Sequence, residues 1–322
     1  MKEDRLAQYS ALRETCGLWQ HSACGLLVLT GEDRERLLNG LVTCEVKGLA
    51  PGQGVRGFFT DVKGHILADV VVRAAEDRLW LELPASRVSL VAAHIEKYIV
   101  VDRVEVQVAD HRETLTLVGP SSAALLESLL DIPAVPISPW SHLESTLQGQ
   151  EILVSAEGRL GIAAVTLWSS PSGIAEIRQG LLERRPSVGL LEVGDEPVEI
   201  VRVEEGMARF GVDYGHENLP QETGLSDTVS YSKGCYLGQE VVARLHYRGQ
   251  VARRLCRLRS FLDEPPPSGS RLVLQEREAG IVTSAVQSPL DDRVSALAMV
   301  QRRAAEQGTE LQLEDGRSMR VV

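Results

Sequence analysis

The chain has 322 residues, a formal net charge of -11, 43% hydrophobic residues and 25% charged residues. That length exceeds what one growing core holds and predicts two or three packed domains. No apolar run approaches the ~18 residues of a membrane span, the mixed-charge start MKEDRLAQYSALRETCGLWQ has no apolar signal region, and the excess of acid disfavours wholesale contact with nucleic acid, so a cytoplasmic protein with no membrane partner is expected. Cys16, Cys24, Cys44, Cys235 and Cys256 are scattered without a CxxC pair. This argues against a disulfide framework, a zinc knuckle or a resident iron–sulfur cluster, and no resident metal is expected.

In chain order, GLLVLT (25 to 30) reads as a strand and TGEDRERLLNG as a helix capped by Thr30, three residues before Asp33. VRGFFT and HILADVVV flank the turn residues DVKG and predict a hairpin, followed by a third strand, RLWLEL (78 to 83). The period then changes: Val88, Val91, Ile95 and Ile99 fall at helical spacing within ASRVSLVAAHIEKYIV, after which RVEVQV is again strand-like. TLTLVGP and SSAALLESLL continue as strand and helix, and DIPAVPISPWSH (131 to 142) reads as a proline-rich connection packed by Trp140. EILVSAEGRLGIAAVTLW predicts a second hairpin, followed by helices from about Gly173 to Arg185 and from near Asp195. After Arg248 the runs VARRLCRLRS, RLVLQ, AGIVTSAV, VSALAMV and TELQLEDGRSMRVV, with PPPSGS in a turn, predict a small barrel or sandwich. The expected fold class is α+β, with one region over 1–248 and a β-barrel over 249–322.

One span, from Val241 to Leu262, has no acid and gathers Arg244, Arg248, Arg253, Arg254, Arg257 and Arg259. It reads either as a solvated basic face or as an anion site. Just upstream, KGCYLGQE (233 to 240) sets a lysine, a cysteine and two glycines ahead of a helix. Cysteine statistics suit a turn with a small buried thiol. The neighbourhood suits an activated one: with Ser232 as helix cap, Cys235 would fall in the first turn, where free N–H groups and the nearby Lys233 favour a thiolate, a nucleophile or transient soft-metal ligand. Glu240, Arg244 and Arg248 share one helical face, and the first two are spaced to pair.

Residues 202 to 248, RVEEGMARFGVDYGHENLPQETGLSDTVSYSKGCYLGQEVVARLHYR, resemble the YgfZ/T-protein family of folate-binding proteins related to the glycine-cleavage aminomethyltransferase, most closely its YgfZ branch, through KGCYLGQE and the upstream LPQETGL. LLNGLVTCEVKGLAPGQG and DVKGHILADV extend the resemblance over nearly the whole chain. It implies a T-protein-like architecture of three subdomains, a ferredoxin-like unit at about 50–110 and a C-terminal barrel around a channel for tetrahydrofolate. Glu204 matches the family's pterin-contacting glutamate, and a carboxylate can accept two parallel N–H bonds from a pterin. Tyr236, Gln239, Glu240, Arg244 and Arg248 join it as folate-binding candidates. The surplus arginines suit either a folate glutamate tail or an RNA phosphate. Phe58, Phe59, Tyr214 and Tyr247 are candidates to stack on the ring.

The transferase branch carries an acid just after the strand that here runs into Leu83, Pro84, Ala85 and Ser86. The resemblance therefore implies first a tetrahydrofolate-binding protein that supports assembly or repair of iron–sulfur enzymes, including tRNA-modifying ones. A folate-dependent aminomethyl or one-carbon transferase, and a non-catalytic module binding RNA or an iron–sulfur client, are the alternatives.

Overall fold

A computed structural model describes residues 2–109, 112–130, 135, 138–147, 149–184 and 189–322. Arg185 and much of the proline-rich connection lie outside the described residues. One six-stranded sheet combines β1 (Cys16–His21), β7 (Glu113–Val118), β8 (His142–Leu147), β9 (Gln150–Ala156), β10 (Ala164–Ser169) and β11 (Leu190–Glu192) in the order β11-β1-β7-β10-β9-β8. Its β1–β11 pair is parallel and its other pairs are antiparallel. A five-stranded antiparallel sheet orders β3 (Gly54–Thr60), β4 (Ile66–Ala74), β5 (Arg78–Pro84), β2 (Cys24–Thr30) and β6 (Glu105–Val108). The segment 50–110, where a ferredoxin-like unit is expected, does not hold this sheet alone: β2, from residues 24–30, lies between its β5 and β6 and pairs with both.

The remaining strands, β12 (Arg253–Ser260), β13 (Arg271–Leu274), β14 (Arg277–Gln287), β15 (Val294–Gln301), β16 (Glu310–Leu313) and β17 (Ser318–Val321), close a six-stranded barrel. Closure removes the edges that short strands would otherwise expose. Seven helices are described: α1 (Lys2–Glu14), α2 (Arg34–Asn39), α3 (Val88–Tyr98), α4 (Ser122–Leu130), α5 (Pro171–Arg184), α6 (Asp195–Glu204) and α7 (Gln239–Arg248). At α2 the expected Thr30 cap does not form. Asp33 stands at the N-cap, and its carboxylate accepts from the Arg103 N–H and the Arg36 guanidinium instead.

Strand alternation gives each sheet two unlike faces. In the five-stranded sheet Leu27, Phe59, Ala68, Val70, Val72 and Leu81 face α2 and α3 and form one core. The opposite face carries Leu26 and Trp80, which meet Leu153 and Trp168 of the six-stranded sheet. The same inter-sheet face also holds the buried charges Arg56, Asp69, Arg73 and Glu82. Only Ser22 and Ala23 separate β1 from β2, so the chain crosses between sheets at one edge of this layer. No described helix is long and apolar enough to cross a membrane.

Candidate functional site

The inter-sheet layer opens into a cavity of about 950 Å³. Its walls come from the β1–β2 crossover (Trp19 to Cys24), Arg56 and Asp69 of the five-stranded sheet, Thr116 and Thr166 of the six-stranded sheet, the 157–160 segment, one face of α6 and residues 208–212. Small-molecule and cofactor sites fall at ~300–1,000 Å³.

Asp69 is the one buried carboxylate among those lining it. Arg56 donates to Asp69 from Nε at 3.1 Å and from Nη2 at 2.6 Å, and the Tyr214 hydroxyl donates at 2.7 Å. Burial opposes ionisation, but the Arg56 charge and these hydrogen bonds outweigh it and hold the carboxyl below its usual range. An ionised carboxylate offers about four lone-pair directions, so three donors leave one free for a ligand N–H. Beside it, Trp140 meets two guanidiniums, with Arg56 at 5.7 Å and Arg159 at 5.8 Å from its ring.

Glu82 anchors a second buried cluster, bonded by Arg73 at 2.7 Å and by the cavity-lining Arg159. Burial raises its pKa, yet the two cations prevail and hold it at about 2. A carboxyl depressed on folding stabilises the native state above its unfolded pKa of ~4.3, and that contribution fades as pH falls toward the folded value. The melting temperature is accordingly expected to fall steeply between about pH 4.5 and 2, and less so in Glu82→Gln. Equal acid slopes for both proteins contradict this role. A third cluster ties α6 to the barrel: Arg202 bonds Glu199 at 2.7 Å, Asp213 at 2.6 Å and Ser284 at 3.0 Å.

On the crossover, Trp19 stacks on His21 with centroids 3.9 Å apart, and its Nε1 donates to Asp195 at 2.8 Å. Burial pushes His21 down to about 4, so the imidazole is neutral at physiological pH.

The residues singled out in the sequence fall elsewhere. Glu204, Lys233, Cys235, Tyr236, Gln239, Glu240, Arg244 and Arg248 are not among those lining the cavity. Glu204 ends α6 on the side of α1, where it accepts from Tyr9 and from Arg13, both at 2.6 Å. The turn of α6 that faces the cavity ends at Arg202, which is why a carboxylate two positions later points away from it. Lys233 is buried, and its ammonium donates to the carbonyls of Asn39, Val42 and Cys44 at 2.5–2.8 Å, away from any thiolate role. Helix α7 starts at Gln239 with Gly238 as N-cap, so Cys235 stands four residues ahead of it and outside its first turn, and Ser232 caps nothing. The dipole argument for an activated Cys235 therefore fails on geometry.

Tyr236 packs with Val229 and Val242, the Leu237 N–H reaches the Gly40 carbonyl at 3.0 Å, and Thr60 Oγ1 donates to the Leu237 carbonyl at 2.6 Å. KGCYLGQE thus pins the 39–64 region. Gly238 is needed there: φ is +84° and a Cβ would come within 2.4 Å of the Asp61 carbonyl oxygen, whereas Gly234 meets nothing within 4 Å. Gln239 is half-buried; Glu240, Arg244 and Arg248 are exposed on α7, and Glu240 and Arg244 form no ion pair among the described residues. Arg253, Arg254 and Arg257 are spent on Glu222 and on the carbonyls of Ala305 and Glu204, which divides the arginine-rich span. Of the aromatic candidates, Phe58, Phe59 and Tyr214 are core residues and Tyr247 is exposed.

The cavity also changes the meaning of Leu83, Pro84, Ala85 and Ser86. Pro84 and Ser86 do line it without a carboxylate, but Asp69, Glu157, Asp195, Glu196 and Glu199 bring carboxylates from other elements. An acid absent at 83–86 does not leave the site without one. Sequence reasoning missed Asp69, Arg56 and His21; the available signal was a charge inside an otherwise apolar strand, as in ILADVVV and VRGFF, where burial requires a partner.

Cys235 is exposed, whereas Cys16, Cys44 and Cys256 are buried and Cys24 is half-buried. Burial pushes the Cys16 and Cys44 thiols up to about 12, and it raises Cys24 and Cys256. Iodoacetamide at pH 8 is expected to label Cys235 well before the other four, read residue by residue by mass spectrometry. Equal labelling of Cys16 or Cys44 in the native protein contradicts the packing described.

Residues 1–233 match the GCVT N-terminal domain, and residues 253–321 match the glycine cleavage T-protein C-terminal barrel domain. Similar curated proteins include the aminomethyltransferase of Halothermothrix orenii, 26% identical with 88% of this chain and 80% of that protein covered, and that of Thermotoga neapolitana, 26% identical with 91% and 80% covered. The crystal structure of glycine cleavage system aminomethyltransferase T from Bartonella henselae superposes with a TM-score of 0.88 at 22% identity, covering 98% of this chain and 87% of that one. With both of its domain patterns present in order, and with two sheets and a closed barrel in that fold, the chain belongs to the glycine cleavage T-protein family.

Proposed function

We propose that this protein binds a reduced folate in the inter-sheet cavity and uses it in one-carbon transfer, the reaction class that the names of its aminomethyltransferase relatives describe. The observation that carries the reading is Asp69, a buried ionised carboxylate on the cavity wall with one unfilled acceptor direction. The cavity volume and the flat Trp19–His21 wall suit a fused heterocycle. Tetrahydrofolate, when bound, supplies the nucleophilic nitrogens that accept a one-carbon unit. Because Arg56 keeps Asp69 ionised and weakly basic, its part is to orient an N–H and offset positive charge that develops nearby. Arg56 and Tyr214 fix the carboxylate, and Arg159 and Glu157 complete the charged wall.

The test is calorimetric titration of tetrahydrofolate into the wild type and Asp69→Asn, with formaldehyde release from a one-carbon-loaded folate as the activity readout. One site is expected, weakened about 10- to 100-fold by the substitution, since a hydrogen bond to a charged group contributes ~1.5–3 kcal/mol. No binding by the wild type, or equal affinities, overturns the assignment.

A second reading has its own observation. The exposed thiol of Cys235, in the segment that resembles the YgfZ branch, supports a role in the upkeep of iron–sulfur enzymes, including tRNA-modifying ones, in the cytoplasm. In cells lacking the protein, failure of Cys235→Ser to restore such enzymes where Asp69→Asn restores them favours this reading; the reverse pattern excludes it.

A further inference from the structure

The cavity wall formed by the six-stranded sheet is polar but carries no charge. Register places Trp19 of β1, Thr116 of β7 and Thr166 of β10 in one cross-strand row, and Ser155 of β9 continues it. Directly opposed residues in a sheet share a face, so the first three present their side chains together, and all three line the cavity. The next row begins with His21, two residues along β1.

Three side chains form a continuous hydrogen-bonded chain. His21 Nε2 lies 3.2 Å from Thr116 Oγ1, which lies 2.9 Å from Thr166 Oγ1. His21 Nδ1 is closed to water and has no partner among the described residues. The two threonines are buried as well.

Counting protons shows what such a chain can do. Each hydroxyl carries one hydrogen and a neutral imidazole carries one, while two contacts consume two of the three. One hydrogen is always left over: at one end or the other, or on Thr116 itself when its oxygen accepts from both neighbours. With the proton on Nε2, His21 donates to Thr116, Thr116 donates to Thr166, and the Thr166 hydroxyl has a hydrogen to give. With the proton on Nδ1, both hydroxyls turn round and the spare hydrogen sits on a buried, unpartnered N–H. A buried N–H without an acceptor is the rarer and costlier arrangement, so the first state is preferred.

We propose that the His21–Thr116–Thr166 chain makes the cavity selective for a carbonyl-type acceptor on the bound heterocycle, which receives the spare hydrogen of Thr166. The inference rests on the folate reading of this cavity. Its ligand group is the cyclic-amide oxygen of a 4-oxo pteridine; an amine in that position can reach only the remaining lone pair of Thr166 and leaves the spare hydrogen without an acceptor. Thr166 contacts the ligand; His21 is a positioning residue that acts through Thr116. The depression of the His21 pKa to about 4 agrees with the neutral ring that the count requires.

Two measurements on the full-length protein test it. Long-range proton–nitrogen NMR of the free protein, with His21 assigned through His21→Gln, is expected to show the proton on Nε2; a proton on Nδ1 overturns the proposal. Calorimetry with tetrahydrofolate and its 4-amino counterpart is expected to show a preference for the 4-oxo ligand of about fivefold to tenfold, the worth of one neutral hydrogen bond. Thr166→Val, checked for an unchanged fold by circular dichroism, should lose that preference while still binding both. A wild type that binds both ligands equally, or a Thr166→Val protein that keeps the preference, overturns the selectivity and leaves folate binding standing. Failure of both ligands to bind removes the folate reading itself, and this inference with it.

Discussion

Replacing Lys233 with Met is expected to destabilise the protein by about 3–5 kcal/mol, because a buried polar group left without a partner costs ~1–3 kcal/mol and this substitution strands several at once. The ammonium donates to the carbonyls of Asn39, Val42 and Cys44, and the methionine side chain has the length to fill the space but nothing to donate. Burial pushes Lys233 down to about 8, which still leaves it charged at neutral pH, where an ammonium has three hydrogens for three acceptors. Lys233→Arg should be nearly as harmful, since a planar fork cannot converge three donors on one point. Guanidinium unfolding measures both. A loss below about 1 kcal/mol for Met means that the carbonyls find other partners and that the segment is not pinned through them.

The second large effect is expected at Arg56. Arg56→Met removes the countercharge from a carboxylate whose side chain is 4% exposed, and breaking a buried ion pair from one side typically costs ~3–5 kcal/mol. Without Arg56 burial is opposed only by the Arg159 charge and the Tyr214 hydrogen bond, and the Asp69 pKa rises, so the variant should lose least at low pH, where the carboxyl is protonated in folded and unfolded states alike. Adding Asp69→Asn to Arg56→Met should return part of the loss, because the amide needs no countercharge. Chemical unfolding of the two single variants and the double variant completes the cycle. Strict additivity contradicts a coupled pair at these positions.

The strands and helices that depend on local patterning were legible in the sequence. The hairpin around DVKG is the β3–β4 pair, EILVSAEGRLGIAAVTLW is the β9–β10 pair, and the five β-rich runs after Arg248 are the barrel strands. α1 and β1 escaped notice because their packing against α6 and β11 is decided by partners some 175–190 residues away. The site was less legible for a related reason. KGCYLGQE concentrates unusual residues in eight positions and draws the eye, yet here they satisfy carbonyls and permit a close backbone approach. The cavity is instead assembled from single residues dispersed over seven strands and loops and α6, such as Asp69 within an apolar strand, whose meaning depends on a partner that spacing does not disclose. The acid sought after β5 illustrates the difference. A motif reading asks for it at 83–86, whereas the folded chain supplies carboxylates to the same cavity from β4, the 157–160 segment and α6.

A crystal structure of the protein with tetrahydrofolate tests the central claim most directly. The pteridine is expected between the two sheets, with a ring N–H on Asp69 and the Trp19–His21 pair along its face. Density for the ligand against Cys235 and the exposed face of α7, with the inter-sheet cavity left to solvent, would contradict it.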